Sequence, residues 1–304
     1  MKVMAPRPAS PPSSAGRISH KDPHVTRLPW QERNGRFSAL KAACFGALFL
    51  PGLWVLGQAL TESLGARPVT EAIHELGLWT IRLLFLSLAV TPLRLAWRWP
   101  QLILLRRMIG VAAFCYALAH ISGYVVDQGF DLAKVLSEIV SRIYLVIGAT
   151  AALMLAVLAV TSTDGMIRRL GGRNWRLLHQ LSYFIGLLAS IHYFMQSKLF
   201  VDEATVLGGL YLWLMGYRLL AWLGPVSLWR LAALGLAASG LTALGEAGYY
   251  TLTRGIDLGR VLAANLSTVT GIRPAVYVLG ITLAVALVAA LRALPLRQQR
   301  TARA

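Results

Sequence analysis

The sequence predicts an all-α integral membrane protein, a helical bundle of about eight transmembrane helices. Three observations predict it. The 304 residues are 56% hydrophobic and only 14% charged, against roughly 25% charge in an average soluble domain. Apolar stretches long enough to cross hydrocarbon, about 18 residues or more, recur along the whole chain. Lys and Arg crowd into alternate connections, as they do where charge sets membrane topology.

The elements follow in order. Residues 1–36 are rich in Pro, Ser and Arg and poor in acid, which predicts a disordered basic tail. A secretory leader would place a shorter apolar core nearer the start; an organellar transit peptide shares the Arg and Ser bias and stays open. Spans follow at 37–60, 75–95, 107–126, 143–161, 175–195, 204–223, 228–245 and 274–294. The seventh is separated from the sixth by little more than Gly224-Pro225. The longer connections, 61–74, 127–142 and 246–273, are too short to bury a core of their own. The expected organisation is therefore a tail over 1–36, a six-helix core over 37–223, and two further helices with a short basic end over 224–304. No internal repeat is visible. Cys44 and Cys115 both fall inside spans and read as small packing residues.

The net charge of +17 raises the question of nucleic acid, and its distribution answers it. With the N-terminus inside, 21 Lys and Arg fall on inner segments and 7 on outer ones. Such a bias places both termini in the cytoplasm. The charge is topological, contact with anionic lipid heads follows from it, and no nucleic-acid partner is implied. The chain has no GxGxxG and no P-loop, so any redox chemistry needs separate donor and acceptor proteins.

Six histidines carry the remaining signal. His20 and His24 lie in the basic tail and read as solvated. His74 opens the second span. His120, in "FCYALAHISGY", lies in the outer half of the third span. His179 and His192 stand near the inner and outer ends of the fifth. A polar group at membrane depth is costly and marks a functional site by default; the plain alternative is a hydrogen bond to a neighbouring helix. His120 and His192 share one depth on two different helices, and no carboxylate lies deep in the first six spans. Paired imidazoles suit haem iron, which takes axial nitrogens from both sides of an apolar disc. Zinc would want four ligands, usually including Cys or carboxylate. Gly110, Gly123 and Gly186 would leave room for the disc. One difficulty stands. Thirteen positions on an ideal helix leave His179 and His192 about 140° apart around the axis, so the fifth span must bend or bulge, with Gly186 as its expected site.

The strings "AVTPLRL", "LRRMIGVAAFCYALAHISGY" and "LAVTSTDGMIRRLGGRNWRLLHQLSYFIGLLASIHY" resemble the MsrQ (YedZ) family, within the wider ferric-reductase-like transmembrane superfamily. The resemblance covers roughly 40–220. It implies an electron-transfer subunit of the bacterial inner membrane that binds b-type haem and FMN and is not itself the catalytic subunit. Its implied acceptor is a periplasmic, MsrP-like molybdenum-cofactor enzyme that repairs methionine sulfoxide in proteins. Its implied donors are the quinone pool or a cytoplasmic flavin reductase. The family's haem histidines fall on His120, His179 and His192, and the one ahead of the second span on His74. Two-haem members of the superfamily carry a second histidine on the third span; fourteen residues before His120 this chain has Arg106. One haem between His120 and His192 is thus expected, with no complete ligand pair for a second. Arg106 and Arg107 line the inner rim, where they meet either a flavin phosphate or only the topological requirement.

Two other classes stay open: a ferric or metal reductase working with a separate flavin domain, and a haem-free transporter or assembly factor. The charge bias makes the topology testable. A reporter fused after Ala304 should be active in the cytoplasm; activity only in the periplasm would place the C-terminus outside and require an odd number of crossings.

Overall fold

A computed structural model describes residues 28–32, 34–197, 201–267 and 271–301, without the side chains of 295–301. Most of the expected tail, 1–27, lies outside the described residues. Thirteen α-helices are described: α1 (Ala39–Ala47), α2 (Leu50–Leu60), α3 (Pro68–Ala96), α4 (Arg106–Asp127), α5 (Leu132–Ser141), α6 (Ile143–Val160), α7 (Asp164–Leu170), α8 (Gly172–His179), α9 (Leu181–Gln196), α10 (Asp202–Leu223), α11 (Leu228–Arg254), α12 (Leu258–Ala264) and α13 (Pro274–Thr301). A 3-10 turn, Pro100–Leu104, joins α3 to α4. Among the described residues the only extended pairing is a single bridge between Gln31 and Phe37.

Seven segments are long and apolar enough to cross a membrane: Ala39–Leu60, Pro68–Ala96, Pro100–Asp127, Ile143–Val160, Asp202–Leu223, Leu228–Arg254 and Pro274–Leu294. The eighth expected crossing, over 175–195, is divided after His179. Its apolar part, α9, has 16 residues, or about 24 Å against a hydrocarbon core of about 30 Å. The break lies at Gln180 and not at Gly186. There the backbone tightens to three-residue bonds, Gln180 N–H to Leu177 C=O and Tyr183 N–H to Gln180 C=O. Gly186 instead sits inside α9, buried, with room for a Cβ removed by Tyr211 at 3.0 Å.

Four helices form a ring. α3 packs on α4, α4 on α6, α6 on α9, and α9 back on α3. α4 and α9 therefore occupy opposite corners. Leu88, Ala113, Ile185 and Leu155 fill the interior and are almost wholly buried. α10 packs on α3 and α9 and carries α11 and α13 on its far side. α13 also returns to α3, where the Trp97 Nε1–H donates to the Val285 carbonyl at 3.1 Å.

Apolar surroundings require every freed backbone group to find a partner, and two places show how. Pro51 cannot donate into its own helix, and α1 breaks from α2 just before it. The Tyr116 hydroxyl inserts there, accepting from Gly52 N–H and donating to Leu48 C=O, both at 2.8 Å. Pro92 stands inside α3 and leaves the Leu88 carbonyl without its helical donor. The Arg218 guanidinium reaches across from α10 and donates to Leu88 C=O at 2.7 Å, with a second N–H on Leu214 C=O. Its charge rests over the Tyr183 ring, 4.6 Å from the centroid.

Arg218→Met should lower stability by about 1–3 kcal/mol, the cost of an unsatisfied buried group. In a Pro92→Ala background the loss should be smaller, because the restored N–H takes the Leu88 carbonyl. Thermal denaturation in detergent measures both; equal losses would show that Arg218 serves something else.

Candidate functional site

His120 on α4 and His192 on α9 stand at opposite corners of the ring, and each is partly buried. Both are held the same way. The His120 Nδ1–H donates to the Ile73 carbonyl of α3 at 2.7 Å. The His192 Nδ1–H donates to the Tyr144 carbonyl of α6 at 2.7 Å. A carbonyl only accepts, so the proton is on Nδ1 and the Nε2 lone pair is left for another partner. Neither Nε2 has a hydrogen bond among the described residues. This is how a metal-ligating imidazole is oriented by its surroundings.

His179 is held differently. Its ring stacks on Trp175, with centroids 3.9 Å apart. Nδ1 bonds the Trp175 carbonyl at 3.0 Å, and Nε2 faces the Ser162 hydroxyl at 3.3 Å. The Ser162 hydroxyl donates to the Leu158 carbonyl at 2.7 Å, so with Nδ1–H on Trp175 the Nε2 lone pair has a polar neighbour but no donor. His179 lines a cavity of about 230 Å³ with Arg106, Arg107, Gly110, Ser87 and Ser182. Gly110 and Ser182 precede His120 and His192 by ten residues each, about 15 Å along a helix. The cavity and the histidine pair are therefore two levels of one ring. Arg107 is paired with Asp164, which neutralises one of the four cations expected at the basic rim, Arg106, Arg107, Arg168 and Arg169.

The two levels expose a repeat that the sequence does not show by eye. Ile73 and Gly77 of α3 match Tyr144 and Gly148 of α6 at an offset of 71 residues, and His120 matches His192 at 72. The same offsets pair the cavity lining: Leu84 with Leu155, Ser87 with Leu158, Ile103 with Trp175, Arg107 with His179, and Gly110 with Ser182. The ring is thus two helical hairpins, α3–α4 and α6–α9, which run in the same directions and alternate around one axis. By this register the position that matches His179 is Arg107, and Arg106 lines the same cavity.

The other expected residues divide. His74 is exposed at the start of α3, one residue removed from the Ile73 carbonyl that holds His120. Gly110 lines the inner cavity, whereas the space at Gly123 is taken by Ile73 and at Gly186 by Tyr211 and Leu88. Glu246 is turned inward, fully buried, where it pairs with Arg273 and accepts from Asn265 Nδ2 at 3.2 Å; it clamps α11 to the start of α13. Tyr249 packs edge-on against Phe194. Sequence reasoning passed over Gly77, Gly148 and Arg218. The signal for Arg218 was present, since Pro92 announces a free carbonyl. In a third ion pair, Arg82 with Glu203, the carboxylate also accepts from the Tyr193 hydroxyl at 3.3 Å.

Fold and site define a class: a multi-pass helical membrane protein whose four-helix ring carries a facing histidine pair. Residues 76–190 match the family described as ferric reductase like transmembrane component. The protein-methionine-sulfoxide reductase heme-binding subunit MsrQ of Rhodospirillum rubrum is 39% identical over 180 residues, covering 59% of this chain and 86% of that protein. The subunit of the same name from Xanthomonas campestris pv. campestris is 42% identical over 184 residues, 60% of this chain and 84% of the relative. That of Azospira oryzae is 38% identical over 167 residues, 55% and 72% respectively. The chain belongs to the MsrQ family. No solved structure gives a significant match.

Proposed function

We propose that this chain is a haem-binding electron-transfer subunit of the bacterial inner membrane. It passes electrons from the quinone pool or a cytoplasmic flavin reductase to a periplasmic, MsrP-like methionine sulfoxide reductase that repairs oxidised proteins. One observation carries the reading: two imidazoles at opposite corners of the ring, each with Nδ1–H fixed on a carbonyl and Nε2 left unbonded. The names of the relatives agree with it.

The residues present fit a b-type haem. The donor set is two neutral imidazoles of defined tautomer on facing helices, with apolar walls between them. His120 and His192 would hold the iron, which supplies one-electron exchange between its ferric and ferrous states. The chain's own part is orientation and exclusion of water. The Ile73 and Tyr144 carbonyls fix the ring planes and raise the basicity of the ligating nitrogens. Leu88, Ala113 and Ile185, buried below, keep the interior dry.

The inner cavity suits the donor side. At about 230 Å³ it is smaller than the ~300–1,000 Å³ pockets that hold whole ligands. It would take the ring of a quinol or flavin rather than an entire FMN, with Arg106 and Arg107 at the rim for a phosphate. The Lys and Arg bias puts this level on the cytoplasmic side and His192 on the periplasmic side.

Haem and flavin should be quantified per chain, with a reduced-minus-oxidised spectrum. His120→Ala and His192→Ala should each abolish the low-spin band, and His179→Ala should spare it. A normal band in both outer variants would move the ligands to His74 or His179. No haem in a folded preparation would favour a transporter or assembly factor. Reduced protein mixed with the reductase and a sulfoxide substrate should reoxidise within turnover time. Reoxidation by ferric chelates alone would instead favour the metal-reductase class, which the family description of residues 76–190 also admits.

A further inference from the structure

We propose that Gly77 and Gly148 are positioning residues, each a socket that seats one imidazole of the histidine pair. This rests on the haem reading above and deepens it. A Cβ built on Gly77 would lie 2.8 Å from His120 Nδ1 and 2.9 Å from its Cε1; one on Gly148 would lie 2.7 Å from both the Nδ1 and Cε1 of His192. Real Cβ atoms essentially never approach so closely. The rings cannot simply retreat, because each is tied by a 2.7 Å hydrogen bond to the same helix that carries the glycine.

The geometry follows from helical periodicity. Gly77 is four residues after Ile73, and Gly148 four after Tyr144. Residues four apart share a helix face. The carbonyl at the first position pulls the imidazole onto that face, and the missing side chain at the second lets it lie flat against the backbone. With both conditions met, Nδ1 is spent on the helix and Nε2 is turned away from it. The unit occurs twice, at offsets of 71 for carbonyl and glycine and 72 for histidine. Two independent occurrences on opposite corners make a packing coincidence a poor account of either one. Gly209, Gly216 and Gly235 are packed as closely, but against Thr and Leu side chains rather than an imidazole; Gly57 and Gly240 have nothing within 4 Å of a built Cβ.

The test uses the full chain in detergent, loaded with haem. Gly77→Ala and Gly148→Ala should each push one imidazole off its carbonyl. Haem affinity should fall by about 10–100-fold, as when a group that orients a metal ligand is lost. The remaining ferric haem should shift from low-spin toward high-spin in its paramagnetic resonance spectrum. Gly57→Ala and Gly240→Ala should leave both properties unchanged. Low-spin spectra and unchanged affinity in both socket variants would overturn the proposal while leaving the haem reading intact; absence of haem from the unsubstituted protein would overturn the reading beneath it. If a socket variant does not assemble, removing the ring relieves the clash. His120→Gly should regain a low-spin band with free imidazole, and the His120→Gly/Gly77→Ala chain should need at least about tenfold more. Equal imidazole requirements would overturn the socket.

Discussion

A polar group surrounded by hydrocarbon must find its partner inside the protein, and the whole arrangement of polar side chains follows from that constraint. Tyr116 bridges the backbone where Pro51 breaks the first span. Arg218 takes the carbonyl that Pro92 sets free. His120 and His192 each spend one nitrogen on a neighbouring helix. In all four cases a side chain completes the hydrogen bonding of another helix's backbone, so the same contact satisfies a polar group and fixes two helices together. The cation at Arg218 needs no carboxylate because two carbonyl dipoles and the Tyr183 ring face provide for it.

The histidines go one step further than the others. Tyr116 has both its donor and acceptor capacity used, and Arg218 has only donors. An imidazole bonded through Nδ1–H still owns a directed lone pair on Nε2. The contact that secures the helix therefore also leaves one nitrogen of each imidazole unbonded. His179 differs in its surroundings: its ring lies on Trp175 and its Nε2 stands beside the Ser162 hydroxyl at 3.3 Å. What the second nitrogen of each imidazole meets is supplied only by the three-dimensional surroundings.

The hairpin repeat explains how one such contact became two. α3–α4 and α6–α9 present carbonyl, glycine and histidine at matching positions, and their inner halves line one cavity from matching positions as well. The match is chemical at the outer level and broken at the inner one, where Arg107 takes the position that matches His179. Equal imidazoles stand at one level only, while at the other the matching positions hold a guanidinium and an imidazole. The trailing helices α11 and α13 stand outside this scheme. They are joined to each other by Glu246 and Arg273; the carboxylate is fully buried and the guanidinium only partly, so removing Arg273 would leave a buried charge unpaired, which makes the pair a strong constraint on their relation.

The sequence by itself determined the class of the protein. Hydropathy and the placement of Lys and Arg depend only on the solvent that each segment meets, so spans and expected orientation were legible without contacts. The depths of His120 and His192 followed from counting along helices. The tertiary structure decided the rest. It divided the fifth expected span at Gln180, where local three-residue bonds outweigh an apolar pattern that looks continuous. It turned Glu246 inward, where it meets Arg273 and Asn265. It revealed the repeat, because the two hairpins share backbone placement at fixed offsets while most of their side chains differ. And it gave Gly77 and Gly148 their meaning: a residue without a side chain carries no chemical signal of its own, and its value is fixed by what another helix brings against it.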